Sequence, residues 1–384
     1  MSKLDELIAE FCPAGVEYRR VGDIADYEQP SKYLVKSTDY NDNFEIPVLT
    51  AGQTFILGYT NEKEGIYNAS PEKPVSIFDD FTGAFKWVDF PFKAKSSAMK
   101  MITSKSDVLI RYLYHLMGFL NYSSDEHKRL WISVYSELQV PVPPLEVQRE
   151  IVHILDSFTL LTAELTAELT ARKKQYEFYR DNLIKKEQHI SEVKKLADVA
   201  NIYDSLHQTP SYSNSGYSMV RVQDIKGGYV DEDKTLKVDE SVWNLFTQKY
   251  TPQLNDIVVS RVGSYGNFAL IPNDKCCLGQ NVALIHPNIN PKYLYHVLMS
   301  TMTKQWINNN VKGASQKSFS LADIKRVPVP VPKDNIQQRI AEVLDNFESI
   351  CTNLSIGLPA EIEARQKQYE YYRDKLLSFK ELPK

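Results

Sequence analysis

Cysteine is scarce in this chain of 384 residues, and its distribution argues against two classes of protein. The four thiols are Cys12, Cys276, Cys277 and Cys351. None forms a C-x-x-C pair and none lies near a histidine pair at metal-binding spacing, so no metal site is expected. Four thiols are also too few for the disulfide framework of a secreted protein of this length. We therefore predict reduced thiols in a cytoplasmic protein.

The sequence also lacks a long hydrophobic run. Its most apolar stretch, residues 112–120, is about half a bilayer span and contains His115. The first eleven residues carry three acidic side chains, and they lack the basic start and apolar run of a signal peptide. We expect neither a membrane-spanning segment nor a secretory signal.

An excess of positive charge is missing as well. Lys and Arg total 45 against 49 Asp and Glu, which gives a net charge of −4. Any nucleic-acid binding must therefore rest on local surfaces. Residues 1–139 carry 15 basic and 20 acidic side chains, whereas residues 188–332 carry 15 and 12. The second of these segments is thus mildly basic.

Common catalytic motifs are absent too. The chain has no Walker A loop, G-x-G-x-x-G, H-E-x-x-H, G-x-S-x-G, zinc-deaminase signature or [N/D]-P-P-[Y/F] tetrapeptide. Asp79–Asp80 could serve a metal or act as a base, but two solvated turn residues are favoured. Residues 263–266, Gly-Ser-Tyr-Gly, could cradle a phosphate, but a hairpin turn is favoured. Cys276–Cys277 is interpreted as a buried apolar pair.

The strongest positive signal is an internal repeat. VPVPPLEVQREIVHILDSF at 140–158 returns as VPVPKDNIQQRIAEVLDNF at 329–347. KQYEFYRDNL at 174–183 returns as KQYEYYRDKL at 367–376. The segments between these repeats differ almost completely, so one frame carries two different inserts. The tetrapeptide Tyr-Leu-Tyr-His precedes each Val-Pro-Val-Pro, at 112–115 and 293–296.

The stretches that follow Val-Pro-Val-Pro have apolar residues at steps of three or four, which predicts heptad helices. Two matched stripes favour a mutual coiled coil, with separate core-facing helices as the alternative. Within one chain, the two helices pair most easily in antiparallel directions. Pro359 is expected to break or kink the second helix.

The two inserts have short apolar clusters separated by turn residues, followed by helical spacing. This order predicts α+β domains. In the first insert we expect a helix at 107–119, and in the second a helix at 291–307. Strands are expected at 46–49, 55–59, 75–78 and 85–88, and at 218–222, 256–260, 267–271 and 282–285.

This arrangement resembles the specificity (S) subunit of type I restriction-modification enzymes, over essentially the whole chain. The resemblance is carried by the repeated frame and by tandem Thr-Ala-Glu-Leu units at 162–169. It is also carried by GVEYRRVGDIA (15–25), KWVDFPFKAKSSAMK (86–100) and GLPAEIEARQKQYEYYRDKL (357–376). One departure is Ala197–Asp198, where the family more usually has Gly followed by Asp or Glu.

The resemblance implies an α+β fold with an internal pseudo-two-fold repeat. Two target-recognition domains, at 1–139 and 188–332, would be separated by long antiparallel coiled-coil helices at 140–187 and 333–384. Each domain would read one half of a bipartite DNA target. The helices would set the spacer between the halves and bind two modification subunits.

The same resemblance assigns the chemistry to partner subunits. The modification subunits would bind S-adenosylmethionine and methylate adenine at N6, and restriction subunits would use ATP and Mg. The chain itself would have no catalytic residue, cofactor or metal. Two alternatives stay open on residues alone: a complete methyltransferase or nuclease, and a coiled-coil scaffold that binds protein or glycan.

Candidate site residues follow from residue type and context. Loops rich in Lys, Arg, Gln and Ser suit contacts with phosphates and base edges. The predicted DNA-binding residues are Gln53, Thr54, Lys86, Trp87, Lys128 and Arg129 in the first domain, and Arg261, Ser264, Tyr265, Lys312, Ser315, Gln316 and Lys317 in the second. The predicted partner-binding residues, which the repeat pairs one to one, are Gln148, Asp156, Tyr176, Tyr179 and Arg180 with Gln337, Asp345, Tyr369, Tyr372 and Arg373.

Overall fold

The computed structural model describes residues 3–52, 54–122, 129–311, 318–352 and 357–383. They form two compact units. Unit 1 joins Met1–Glu164 to Ile362–Lys384, and unit 2 is Leu165–Glu361. The last helix of the chain therefore belongs to the same unit as the first.

The first part of the chain alternates short strands with helices and ends in one long helix. In order, the elements are α1 (Lys3–Phe11), β1 (Glu17–Arg20), α2 (Val21–Ile24), β2 (Ala25–Glu28), β3 (Ile46–Leu49), β4 (Ile56–Thr60), β5 (Val75–Asp79), β6 (Phe85–Val88), β7 (Lys93–Ala94), β8 (Met99–Ser104), α3 (Ile110–Leu120), α4 (Leu130–Ser133), β9 (Gln139–Val142) and α5 (Leu145–Ile190).

The second part follows the same plan. Its elements are β10 (Glu192–Lys195), α6 (Leu196–Val199), β11 (Ala200–Asp204), β12 (Tyr217–Val220), β13 (Leu236–Val238), α7 (Glu240–Thr247), β14 (Ile257–Ser260), β15 (Phe268–Leu270), β16 (Cys276–Leu278), β17 (Val282–Pro287), α8 (Pro291–Met299), α9 (Thr301–Asn310), α10 (Leu321–Arg326), β18 (Pro328–Val331), α11 (Asp334–Thr352) and α12 (Leu358–Leu376). Short 3-10 helices lie at Pro30–Lys32, Tyr135–Glu137, Val222–Ile225 and Glu232–Lys234.

The two inserts share one sheet plan although their sequences differ. An antiparallel sheet of order β2-β8-β5-β6 in unit 1 corresponds to β11-β17-β14-β15 in unit 2. A smaller mixed sheet of order β4-β3-β7 corresponds to β13-β12-β16, and each has one parallel pair. The predicted α+β character of both inserts is therefore confirmed.

Each Val-Pro-Val-Pro segment forms a strand that precedes a long helix. Strand β9 pairs with β1, and β18 pairs with β10, in two-stranded antiparallel sheets. Proline lacks an N–H donor, so it fits a strand that has an unpaired edge. These pairs tie the start of each insert to its end.

Helix α5 is 46 residues long and runs without interruption from unit 1 into unit 2. The tandem Thr-Ala-Glu-Leu units at 162–169 lie within it, where Leu165 is buried. The corresponding second stretch is divided between α11 and α12, and Pro359 lies in the first turn of α12. The predicted break near Pro359 is confirmed, since a new helix begins at Leu358. Proline fits this position because a residue in the first turn of a helix needs no intrahelical N–H hydrogen bond.

Two helix predictions need correction. The first helix begins at Ile110 rather than at residue 107. The stretch at 291–307 forms two helices, because Ser300 lies between them in an extended conformation. The Ser300 side chain accepts a hydrogen bond from the Thr303 amide at 3.3 Å and caps α9.

Apolar side chains form separate cores in each unit. In unit 1, one core joins α3 to the start of α5 and the end of the chain through residues such as Leu116, Leu155 and Leu377. In unit 2, the corresponding core joins α8, α5 and α11 through Leu294, Ile184 and Leu344. Within the described ranges, no helix combines the length and apolarity needed to cross a bilayer.

Candidate nucleic-acid interface and repeated helical joints

A polar triad centred on buried His115 joins three helical segments of unit 1. Nε2 of His115 on α3 lies 2.9 Å from Oδ1 of Asp156 on α5. Nδ1 of His115 lies 3.0 Å from the hydroxyl of Tyr369 on α12. Since a carboxylate only accepts, Nε2–H donates to Asp156 and Nδ1 accepts from Tyr369. Arg111 Nε donates a further hydrogen bond to Asp156 at 2.7 Å.

Unit 2 contains the same triad, built from the other copy of each repeat. Nε2 of His296 lies 2.8 Å from Oδ1 of Asp345 on α11, and the hydroxyl of Tyr176 on α5 lies 2.9 Å from Nδ1 of His296. Lys292 pairs with Asp345, as Arg111 pairs with Asp156. The repeated Tyr-Leu-Tyr-His motif thus places a histidine in a buried joint in each unit. Because a tetrapeptide repeat shows no partners, sequence reasoning missed both joints.

The triads change the acidity of their members. Burial opposes the charged form of both carboxyl groups, but hydrogen bonds from His115 and Arg111, and from His296 and Lys292, hold the pKa values of Asp156 and Asp345 below their ordinary range. Burial lowers the pKa of His115 despite the neighbouring Asp156. Burial also raises the pKa of Tyr369 to about 12. His115 is therefore neutral at pH 7 and Asp156 is charged.

The repeated glutamines also occupy matching positions. Gln148 Nε2 donates to the carbonyl oxygen of Pro143 at 2.8 Å, and its Oε1 accepts from the Leu109 amide at 2.9 Å. Gln337 Nε2 donates to Pro332 at 2.8 Å, and its Oε1 accepts from the Asn290 amide at 3.1 Å. Both glutamines are buried. Each links the start of its helix to the segment before α3 or α8.

The remaining repeated residues match as well. Tyr372 stacks on Phe158 at 5.2 Å, and Tyr179 packs on Phe347 at 5.6 Å between ring centroids. Arg180 and Arg373 each pair with the following aspartate, and each lies over the ring of its own triad tyrosine, Tyr176 or Tyr369. The five pairs of repeated residues thus have matching surroundings in the two units. Packing within each unit accounts for that equality, and the partner-binding role of these residues stays a prediction.

The helical pairing in unit 2 is antiparallel. Tyr179 on α5 contacts Phe347 on α11. Earlier on α5, Arg172 and Lys173 lie near Cys351, where they oppose the burial that raises the pKa of this thiol. Rising residue numbers on α5 thus correspond to falling numbers on α11.

Glu348 distinguishes unit 2 from unit 1, where Thr159 holds the corresponding position of the repeat. Burial raises the pKa of Glu348. Its carboxyl group accepts hydrogen bonds from Tyr295 at 3.0 Å and Tyr229 at 3.3 Å. In the described part of the chain, Glu348, His296 and Asp345 have ligand atoms within 4.8 Å of one another. Each already bonds to protein side chains, which accounts for the cluster without a cation.

The predicted DNA-binding residues of unit 1 lie in several places. Thr54 is exposed between β3 and β4, and Lys86 is partly buried on β6. Trp87 lies beneath the guanidinium of Arg111, whose Cζ is 4.6 Å from the ring centroid. It lines a groove with Asp156 of α5, so the structure groups Trp87 with a predicted partner-binding residue. Arg129 is exposed immediately before α4.

In unit 2, three predicted DNA-binding residues lie together on the turn between β14 and β15. Ser264 is exposed, whereas Tyr265 is half-buried against the core. Arg261 begins this turn and forms an ion pair with Asp204. The hairpin interpretation of residues 263–266 is confirmed. The predicted residues Gln53, Lys128, Lys312, Ser315, Gln316 and Lys317 lie outside the described residues.

The Asp79–Asp80 pair needs a partial correction. Asp79 is a turn residue, whose Oδ1 accepts from the amides of Phe81 at 3.0 Å and Thr82 at 2.9 Å. Asp80 is not solvated but buried, and it forms an ion pair with buried Lys100 at 3.1 Å. A carboxylate that loses its water requires such a partner. Cys276 and Cys277 are buried on β16, as predicted.

Comparison with known proteins identifies the family. The family described as type I restriction modification DNA specificity domain matches residues 13–172 and again residues 190–364. The chain belongs to this family of type I specificity subunits. The specificity subunit therefore carries one family domain in each half of its repeat, and its role is DNA recognition within a type I restriction-modification system.

Individual relatives agree over the full length. The specificity subunit is 44% identical to the type I restriction enzyme EcoR124I/EcoR124II specificity subunit of Escherichia coli, over 95% of this chain and 94% of that protein. It is 28% identical to a putative type I restriction enzyme specificity subunit of Haemophilus influenzae, over 95% and 96%. A crystal structure of an S subunit from M. genitalium matches with a TM-score of 0.56 at 12% identity, over 94% and 96%. The predicted fold is confirmed.

Proposed function

We propose that each unit of this specificity subunit reads one half of a bipartite, asymmetric DNA target. The observation that carries the proposal is the double match of the family domain, at 13–172 and 190–364. The two matched regions share a sheet plan but differ in the residues on their turns. Different turns on one scaffold suit two different base sequences, since base contacts specify whereas phosphate contacts position.

The repeated helices separate the two readers and bind two modification subunits. Support comes from α5, which continues without a break from one unit into the other. It also comes from the matching pairs of repeated residues, of which Tyr179 and Tyr372 remain partly exposed. Two equivalent surfaces would receive two copies of one partner.

The chain itself performs no chemistry under this proposal. Modification subunits bind S-adenosylmethionine and methylate adenine at N6, and restriction subunits supply ATP- and Mg-dependent translocation and cleavage. The sequence lacks the [N/D]-P-P-[Y/F] tetrapeptide of amino-methyltransferases, which supports this division. A net charge of −4 is compatible with DNA binding if the partners supply much of the phosphate neutralisation.

Methylation mapping tests the proposal directly. The chain is expressed with its modification subunits in a host that lacks other adenine methylation, and methylated adenines are located by sequencing. A two-part motif with a fixed spacer is expected. A continuous motif would contradict two independent readers, and methylation by the pure chain with S-adenosylmethionine and DNA would show that it is an enzyme.

Single substitutions then test the proposed contacts. Gln316→Ala is expected to relax one base position, at a cost of about 1–3 kcal/mol. Lys317→Ala is expected to weaken all sequences alike and to reduce the dependence of binding on salt. If both variants kept the affinity and the methylation pattern, these residues would not belong to the interface.

A further inference from the structure

Asp80 and Arg261 occupy the same backbone position in the two units, although their charges are opposite. Each is the first residue after a central strand, β5 or β14. The Asp80 amide donates to Ala98 at 3.0 Å, and the Arg261 amide donates to Asn281 at 2.9 Å. Ala98 lies just before β8, and Asn281 lies just before β17, the strands that pair with β5 and β14. The two residues are thus structural equivalents.

The carbonyl oxygen of each of these residues also accepts a hydrogen bond from an amide much later in the chain. The Asp80 carbonyl oxygen accepts from the Leu130 amide at 2.7 Å. The Arg261 carbonyl oxygen accepts from the Phe319 amide, also at 2.7 Å. Leu130 follows the predicted DNA contact Arg129, and Phe319 follows the lysine-containing segment predicted to contact DNA. The equivalent positions therefore hold Leu130 in unit 1 and Phe319 in unit 2 against the hairpin turn.

In unit 1 the Asp80 side chain strengthens this link. Its Oδ1 accepts from the Trp131 amide at 2.8 Å. Its Oδ2 is compensated by Lys100 Nζ at 3.1 Å, as an ion pair rather than a directed hydrogen bond. Lys100 also donates to Gln29 at 3.0 Å, which ties the link to the end of strand β2. Asp80 and Lys100 are both buried, so water does not compete for these contacts.

In unit 2 the guanidinium of Arg261 strengthens the corresponding link to Phe319. Arg261 Nε points at the carbonyl oxygen of Phe319 at 3.4 Å. Its Nη1 pairs with Asp204, the last residue of β11. Asp204 corresponds to Gln29 of unit 1, because β11 corresponds to β2. Arg261 is 17% exposed at its side chain and is therefore directed mainly into the fold.

A glycine on the other side of each hairpin turn lies close to a residue that precedes Leu130 or Phe319 in the chain. A Cβ atom on Gly83, whose φ is +74°, would lie 2.6 Å from the carbonyl oxygen of Tyr122. A Cβ atom on Gly266, also at +74°, would lie 3.4 Å from the Ile307 side chain on α9. Each hairpin turn is thus held against residues on two sides, Tyr122 and Leu130 in unit 1, and Ile307 and Phe319 in unit 2. The position of the turn consequently depends on these contacts.

We propose that Asp80 with Lys100, and Arg261 with Asp204, are positioning residues for DNA readout, each pair acting on its own half of the target. They hold the hairpin turn against Leu130 and Trp131 in unit 1, and against Phe319 in unit 2, without contacting a base. Asp80 thus acts through Trp131, and Arg261 acts through Phe319. This inference rests on the proposed function, because it assigns one target half to each unit.

Methylation mapping of the chain with its modification subunits provides the test in unit 1. Asp80→Leu/Lys100→Met removes the acceptor for Trp131 without leaving an unpaired buried charge, a change that folded proteins often tolerate. Base preference in one target half is expected to fall about tenfold at one or more positions, while the other half is unchanged. Asp80→Asn/Lys100→Met keeps an oxygen for Trp131 and is expected to restore that preference.

A second ion pair with a buried lysine supplies the matched control. Lys93 pairs with Glu62 at 2.8 Å in the smaller sheet of unit 1 and has no hydrogen bond to the turn or to Trp131 among the described contacts. Lys93→Met/Glu62→Gln is expected to keep both target halves, even if thermal unfolding occurs at a lower temperature. Equal relaxation in this control would attribute the effect to lost stability and overturn the inference.

A variant in unit 2 distinguishes a positioning role of Arg261 from a direct contact between Arg261 and DNA. Arg261→Met/Asp204→Asn is expected to relax the half that the unit 1 variant leaves intact. If Arg261 instead contacts a phosphate, all sequences are weakened alike and no base preference changes, which overturns its positioning role. A two-part wild-type motif with unchanged halves in both variants would overturn the inference alone. A wild-type motif without two parts would overturn the proposed function as well.

Discussion

The hydroxyl of Tyr369 lies 3.0 Å from Nδ1 of His115, a residue 254 positions earlier in the chain. The bond joins the last helix to the first globular insert. Because Nε2–H of the same ring is donated to Asp156, Nδ1 has its lone pair free for the tyrosine proton. The orientation of a buried imidazole thus depends on residues from three distant parts of the sequence.

Removal of this hydroxyl should destabilise unit 1. Tyr369→Phe leaves Nδ1 of His115 without a donor, at an expected cost of about 1–3 kcal/mol in the free energy of unfolding. Tyr371→Phe is the matched control, because Tyr371 is 62% exposed on the same helix. Urea unfolding measures both variants. Equal stability of the two would show that the triad contributes nothing.

The pH dependence of stability should report the buried imidazole. The pKa of His115 is lowered from its ordinary value of 6.5 by burial, so below pH 6.5 the unfolded chain binds a proton that the folded chain does not. The free energy of unfolding is therefore expected to fall as the pH falls from about 6.5 towards the pKa of folded His115. His115→Gln should flatten this part of the curve. His153→Gln, on an exposed position of α5, should leave its slope unchanged.

The length of α5 should set the spacer between the target halves. Four helical residues add about 6 Å of rise and a net rotation of about 40°. One base pair adds about 3.4 Å and about 34°. Deletion of residues 166–169 is therefore expected to shorten the spacer by about one base pair, with two as the outer limit, and to keep both half-site sequences. Methylation mapping decides this, and an unchanged spacer would contradict it.

Two modification subunits should bind each chain with quasi-two-fold symmetry. The reason is that the five repeated pairs of side chains, including Tyr179 and Tyr372, have matching surroundings. Native mass spectrometry of the assembled complex measures the ratio. A single tightly bound subunit, with no second site at excess partner, would show that the repeat serves internal packing alone.

The repeat and the local apolar patterns were sufficient to predict much of this architecture. Strands at Ile46–Leu49 and Phe85–Val88 occur within the predicted bounds, because their apolar clusters are flanked by turn residues. Strand β8 was not predicted, since Lys100 at its second position suggests solvent rather than a buried strand. Its burial depends on Asp80, which is distant in sequence, and local patterns carry no information about such partners.

The candidate site shows the same limit. Residue type suggested Arg261 as a DNA contact, but its guanidinium pairs with Asp204 across the sheet. Residue type likewise suggested Trp87, which is covered by Arg111 from α3. In contrast, Ser264 lies on an exposed turn as its neighbouring glycines indicate. Local sequence does not show long-range ion pairs and ring contacts of this kind, and the DNA-binding role of these residues stays a prediction.

The division of unit 1 between the two ends of the chain has a consequence for synthesis on the ribosome. Leu377 completes a core with Leu116 and Leu155, and these residues emerge long before it. Unit 2 is continuous in sequence and has all its residues once Glu361 has been translated. Domains generally fold as units while the chain grows. The part of the molecule that is made first therefore lacks a piece of its core until Leu377 has been translated, whereas unit 2 is complete in sequence before that point.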